Sequence, residues 1–146
     1  MARSIQLYRD RMRVFDDIDL PIVMSMIIET IKDHKDQNIY ACLVESAADW
    51  EWVIEAYGPG IIQLGLNQKL REQTVRDAFL SVLRDVRIKL EPFGELVPLE
   101  FLNGLVMFSL LAKHSAEPRI VISQAQLASD LLKVVRDLEE LVAGRE

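Results

Sequence analysis

Apolar residues along the chain recur mostly at intervals of three and four, the spacing that gathers side chains on one side of a helix. Ile5, Tyr8, Met12 and Phe15 follow it, which predicts a first amphipathic helix with Ser4 as its N-cap. Asp19 is placed to cap a second helix, with Pro21 in its first turn, where the missing N–H has no helical partner to lose. Ile22, Val23, Met24, Met26, Ile27, Ile28 and Ile31 cover nearly the whole circumference of that helix. Such a helix is predicted to be central or shared between subunits.

Ile39, Leu43, Trp50, Ile54 and Tyr57 fall on one stripe of a third helix, ended by Gly58-Pro59-Gly60. A rival reading exists, because Ile39 to Val44 is also a continuous apolar run of strand length, and Ser46 and Asp49 could form a capping box for a helix that starts later. Thr74 and Asp77 form a similar box ahead of Val75, Phe79, Val82, Leu83, Val86 and Leu90. Glu91-Pro92-Phe93-Gly94 breaks that pattern. Pro98 then opens a second very apolar helix running from Leu99 to Leu111. Ser123 and Gln126 box the start of a last helix that carries Leu127, Leu131, Val135, Leu138 and Val142 and stops at Gly144.

These segments predict an all-α fold, a bundle of five or six helices formed as a single helical domain over residues 1–146. The alternative is a small α+β fold with short strands near 39–44, 61–66 and 119–123, where Ile62, Leu64 and Leu66 alternate and Ile120-Val121-Ile122 is β-branched throughout.

Trp50 and Trp52 sharpen the picture. Two residues apart on a helix, they are separated by about 200° of rotation, so one neighbouring helix cannot cover both rings. A second cover is required, from the same chain or from another molecule. With two nearly all-round apolar helices to enclose as well, a chain of 146 residues is short of outer layers, and a homodimer would relieve the shortage. Trp50, Trp52 and Tyr57 are therefore the candidate partner-binding residues.

Composition removes several classes of function. Half the residues are apolar and 27% are charged, within the globular range. The net charge of −6 disfavours a broad nucleic-acid footprint, although Arg3, Arg9, Arg11 and Arg13 cluster before Asp16, Asp17 and Asp19, and read as a solvated helix face. The longest apolar run, Phe101 to Ala112, is too short for a bilayer, and no secretory leader is recognisable, so no membrane association is predicted. The single Cys42 can form neither an internal disulfide nor a zinc site with another cysteine; it reads as a buried thiol and fits a cytoplasmic setting.

Candidate chemistry is sparse. His34, His114 and Cys42 stand at no ligand spacing, so neither a metal nor another cofactor is predicted, and each histidine reads as a charge at a helix end. Glu45, Asp49, Glu51 and Glu55 could perform acid–base work only if burial or repulsion shifted them; a solvated acidic face is the plainer reading. Gly58-Pro59-Gly60 lacks the Gly-Lys-Ser/Thr ending of a phosphate loop, and no Gly-x-Ser-x-Gly elbow occurs, so no catalytic residue is assigned.

Leu64-Gly65-Leu66 through Leu70, Thr74, Val75, Phe79 and Leu83 resembles a generic helix-turn-helix, which would make residues 64–90 a DNA-binding element. Asp77 and Asp85 stand beside Arg76 and Arg84 there and weaken its attraction to phosphate, so nucleic acid is not the favoured partner. The reading that survives is a small acidic protein acting through protein–protein contact as a regulator, adaptor or chaperone-like factor, and as a homodimer. The helix-turn-helix regulator is the alternative, and an enzyme built on the acids of residues 45–55 the third.

Overall fold

The computed structural model of the chain describes residues 3–16, 18–56, 62–105 and 126–144. Its architecture is mostly helical with short antiparallel strands, so the fold class is α+β and not the all-α bundle predicted first. Among the described residues, the strands do not lie where the α+β alternative put them. Residues 39–44 belong to a helix, 62–65 form no strand, and 119–123 lie outside the described residues. The strands found are β1 (Arg3–Tyr8), β2 (Arg11–Asp16), β3 (Leu96–Val97) and β4 (Gln126–Leu127), paired as β1 with β2 and β3 with β4.

The largest correction is at the N-terminus, where a helix was expected and a hairpin is found. Ile5, Tyr8, Met12 and Phe15 repeat at helical spacing, but Tyr8 pairs with Arg11 across a two-residue turn of Arg9 and Asp10, and Ser4 lies in the strand instead of capping a helix. Arg9 adopts φ 57°, the positive value that a tight hairpin turn requires at its first central position when strand twist is to be matched. Side chains alternate in burial along β1, with Ser4, Gln6 and Tyr8 inward and Arg3, Ile5 and Leu7 outward.

α1 (Asp19–Lys32) is the centre of the molecule, as its all-round apolar sequence predicts. Every residue from Leu20 to Ile28 is buried, and the helix packs on α2 (Gln37–Ala56), α4 (Gln73–Leu90), α6 (Ala128–Ala143) and β2. This chain alone encloses it, which removes one of the two arguments from surplus apolar surface. The second very apolar helix is described only as α5 (Leu99–Asn103); the rest of its expected span, from residue 106, lies outside the described residues.

Helix starts differ from the sequence-based expectations, and at α1 and α2 the capping oxygens come from further upstream. Asp16, not Asp19, caps α1: its Oδ1 accepts the Ile18 and Asp19 N–H groups at 2.8 and 3.3 Å. Asp36 does the same for α2, accepting from Asn38 and Ile39, so Ser46 and Asp49 are interior to one continuous helix. Thr74 lies inside α4, one residue past its start, and α6 begins at Ala128, beyond the expected box. The stops hold: Gly94 at φ 70° follows the 3-10 turn Glu91–Phe93, and Gly144 at φ 79° closes α6.

Candidate interaction surface

The hairpin's inner face is polar, and the chain's own backbone occupies it. Gln6, 2% exposed, donates from Nε2 to the Ile62 carbonyl at 2.8 Å and accepts the Leu64 N–H on Oε1 at 3.1 Å. Its carboxamide thus behaves as a peptide group would in a neighbouring strand. Ser4 Oγ accepts the Ile62 N–H, and Trp50 donates from Nε1 to the Leu64 carbonyl at 2.8 Å. Four backbone polar groups of residues 62–64 are therefore satisfied by side chains, which explains how this buried segment avoids sheet pairing. The Tyr8 hydroxyl donates to the Leu70 carbonyl, and the Arg9 N–H donates to Asn67 Oδ1, where the single-turn helix α3 (Leu66–Lys69) meets β1.

The second strand fastens the hairpin to the end of α6. Phe15 is buried, and Arg11 donates from Nε to the Leu141 carbonyl at 2.9 Å, placing a cation at the negative end of the helix dipole. Its guanidinium also lies 5.7 Å from the Tyr8 ring centroid, and Arg13 approaches Glu140 at 3.9 Å. The basic N-terminal cluster is thus half engaged in packing and is not a solvated helix face.

With its polar side turned inward, the hairpin carries its apolar residues outward. Ile5 is 48% exposed, Leu7 55%, Met12 55% and Val14 44%, and register pairs Ile5 with Val14 and Leu7 with Met12 on the same face. Arg3 opposite Asp16 completes that face at its open end. Among the described residues Arg3 forms no ion pair. Sequence reasoning placed Ile5 and Met12 on a helix stripe and passed over Leu7 and Val14, although the alternation Ser4-Ile5-Gln6-Leu7-Tyr8 and Arg11-Met12-Arg13-Val14-Phe15 was a period-2 signal for two strands.

The candidate partner-binding residues separate. Trp50 is fully enclosed, its ring 5.4 Å from that of Phe79, and is part of the interior. Trp52 is 60% exposed on the other side of α2. Tyr57 lies outside the described residues, as do His114 and the Gly58-Pro59-Gly60 turn.

Other polar candidates are engaged elsewhere. His34 accepts the Asp36 N–H on Nδ1 and faces Asp85 Oδ2 from Nε2 at 3.3 Å, so both ring nitrogens are committed in the cleft of about 370 Å³ that it lines. Glu51 pairs with Lys32, and Asp49 with Lys69 at 3.1 Å, which ties two of the α2 acids to structure. Cys42 is half-buried and lines an apolar groove of about 320 Å³ between α2 and α4. Among the described residues no three His, Cys, Asp or Glu side chains converge to hold a metal ion, and no helix is long and apolar enough to cross a membrane. α3 offers one turn ahead of α4, and Ala78, Phe79, Val82, Leu83, Val86 and Leu90 of α4 face the interior.

Asp19, in the first turn of α1, has its pKa raised to about 6, chiefly by burial and then by the negative charges of Asp16 and Asp130. Set against known protein families, curated proteins and solved structures, the chain matches none.

Proposed function

We propose that this protein acts by protein–protein contact, in a regulatory, adaptor or chaperone-like role, and that the outward face of the β1–β2 hairpin is its contact surface. The observation that carries this reading is the inverted hairpin: Ser4 and Gln6 are buried while Ile5, Leu7, Met12 and Val14 face solvent. A register slip of one residue would exchange the two faces, so the pattern is a specified one. The inward polar residues have a use, since they hold residues 62–64. Among the described residues, nothing covers the outward apolar side chains.

Four half-exposed side chains of this size leave roughly 400 Å² of contiguous apolar surface, a patch of the size that commonly marks a binding site on a monomer. Trp52, exposed on α2, adds an aromatic anchor, tryptophan being the residue type most enriched at binding hot spots. Trp50 enters the reading only through its hydrogen bond to Leu64.

The test is a photo-reactive residue introduced at Leu7 in living cells, with exposed Ser129 on α6 as the control position. A cross-linked species of discrete mass from position 7, absent from position 129, is the expected result. Failure of position 7 to give any discrete adduct contradicts the reading.

A further inference from the structure

Resting on that reading, we infer that the occupant of the hairpin face is a second copy of this chain, packed face to face about a two-fold axis parallel to the strands. The argument is one of self-complementarity. The outward residues are Arg3, Ile5 and Leu7 on β1, directly opposite Asp16, Val14 and Met12 on β2. A two-fold rotation about a line running along the hairpin, between its strands, lays β1 of one copy over β2 of the other. Each outward residue then meets the second copy's version of its own cross-strand partner. Arg3 meets Asp16, Ile5 meets Val14, and Leu7 meets Met12, each contact made twice, as an isologous interface requires.

Charge selects this orientation over the other available two-fold. An axis across the strands would lay β1 on β1 in reverse, carrying Arg3 and Asp16 of each copy over the turn end of the other, so that no unlike pair forms across the interface. The axis along the strands puts unlike charges together. Among the described residues Arg3 has no ion pair to break, and Asp16 uses Oδ1 to cap α1, so the contact costs the monomer little.

The area fits a reversible dimer. The apolar quartet supplies roughly 400 Å² per copy, and with Arg3, Asp16 and the neighbouring Ile18, which is 50% exposed, the pair buries about 1,000 Å² in total, the lower edge of specific interfaces. An interface of this size belongs with reversible rather than obligate assemblies, and micromolar association is the expectation. Two stacked hairpins form the simplest sheet-on-sheet layer, about 10 Å apart.

The full chain is tested by sedimentation equilibrium in three samples: Leu7→Lys, Met12→Glu and their equimolar mixture, beside the wild type. The wild type is expected to be dimeric near ~100 µM and to dissociate toward ~1 µM. Each variant alone is expected to stay monomeric with an unchanged circular dichroism spectrum, because both side chains point away from the core. The mixture is expected to recover a one-to-one dimer, since the substituted positions face each other with opposite charges. Recovery also shows that both variants are folded.

A wild type monomeric at ~100 µM overturns the second-copy inference but leaves the face available to a different protein. A dimer that survives in both separate variants lies on another surface and overturns the inference, while cross-linking from position 7 still decides the hairpin reading. Two monomeric variants that fail to associate when mixed overturn the proposed axis.

Discussion

Replacing Gln6 tests the polar inner face of the hairpin, on which the outward direction of its apolar residues depends. Its carboxamide satisfies the Ile62 carbonyl and the Leu64 N–H together, and the side chain is buried. In Gln6→Leu both backbone groups lose their partner without gaining water. At about 1–3 kcal/mol for each orphaned group, the expected loss is roughly 2–6 kcal/mol. For a chain of this size that lowers the melting temperature by about 5–15 °C.

Gln6→Glu is the sharper probe because it keeps the shape. A carboxylate still accepts from Leu64 but opposes the Ile62 carbonyl, so the folded state favours the protonated acid, whose O–H replaces the lost donor. The folded pKa is then raised above the unfolded value of about 4.3, and the native state binds the extra proton. Stability relative to wild type is therefore retained below pH 4 and lost as pH rises through the folded pKa. Thermal melts of wild type and both variants across pH 4–8 measure this. Gln6→Leu melting within about 2 °C of wild type, or Gln6→Glu tracking wild type at every pH, refutes the described role of the inner face.

Asp19→Asn is expected to stabilise the protein above pH 6. The folded pKa of about 6 exceeds the ordinary 3.8, so the acid's contribution is most favourable below pH 4 and is lost between 4 and 6; melts at pH 3.5 and 7.5 give the difference. Because the site is only half-buried, the gain at neutral pH is held to about 1 kcal/mol. Iodide quenching of dilute protein is expected to reach Trp52 and spare Trp50, so Trp52→Phe removes the quenchable emission and Trp50→Phe removes the shielded, blue-shifted component. Gly144→Ala is expected to lower stability by about 1–2 kcal/mol in chemical denaturation, because φ 79° disfavours a side chain. The new methyl would also lie 3.1–3.3 Å from the Arg11 guanidinium.

Sequence periodicity located α4 and α6 because their buried residues, such as Phe79, Val82, Leu83, Val86 and Leu90, are set by a single packed face, and located α1 because its apolar residues run all round. It failed at residues 3–16 for a physical reason. A helix and a hairpin can both bring Ile5, Tyr8, Met12 and Phe15 to attention, and the strand signal was inverted, with Ser4 and Gln6 in the core-facing positions. The turn residues Arg9 and Asp10 carry no glycine or asparagine to announce a positive φ. The use of Gln6 became visible only through residues 62–64, more than fifty positions away. The opposition of Trp50 and Trp52 was legible from helix geometry alone, but which ring faces inward depends on Leu64 and Phe79, which sequence spacing does not place beside either.

The central claim is that the hairpin turns its apolar side outward and covers it by association. Methyl NMR with a soluble paramagnetic agent, recorded over a dilution series, addresses both halves at once. The signals of Ile5, Leu7, Met12 and Val14 are expected to be bleached in dilute protein and protected in concentrated protein, while Leu20, Ile27 and Leu138 of the interior stay protected throughout. Protection of the quartet at every dilution would show that the hairpin faces the other way, and bleaching at every concentration would show that nothing covers it.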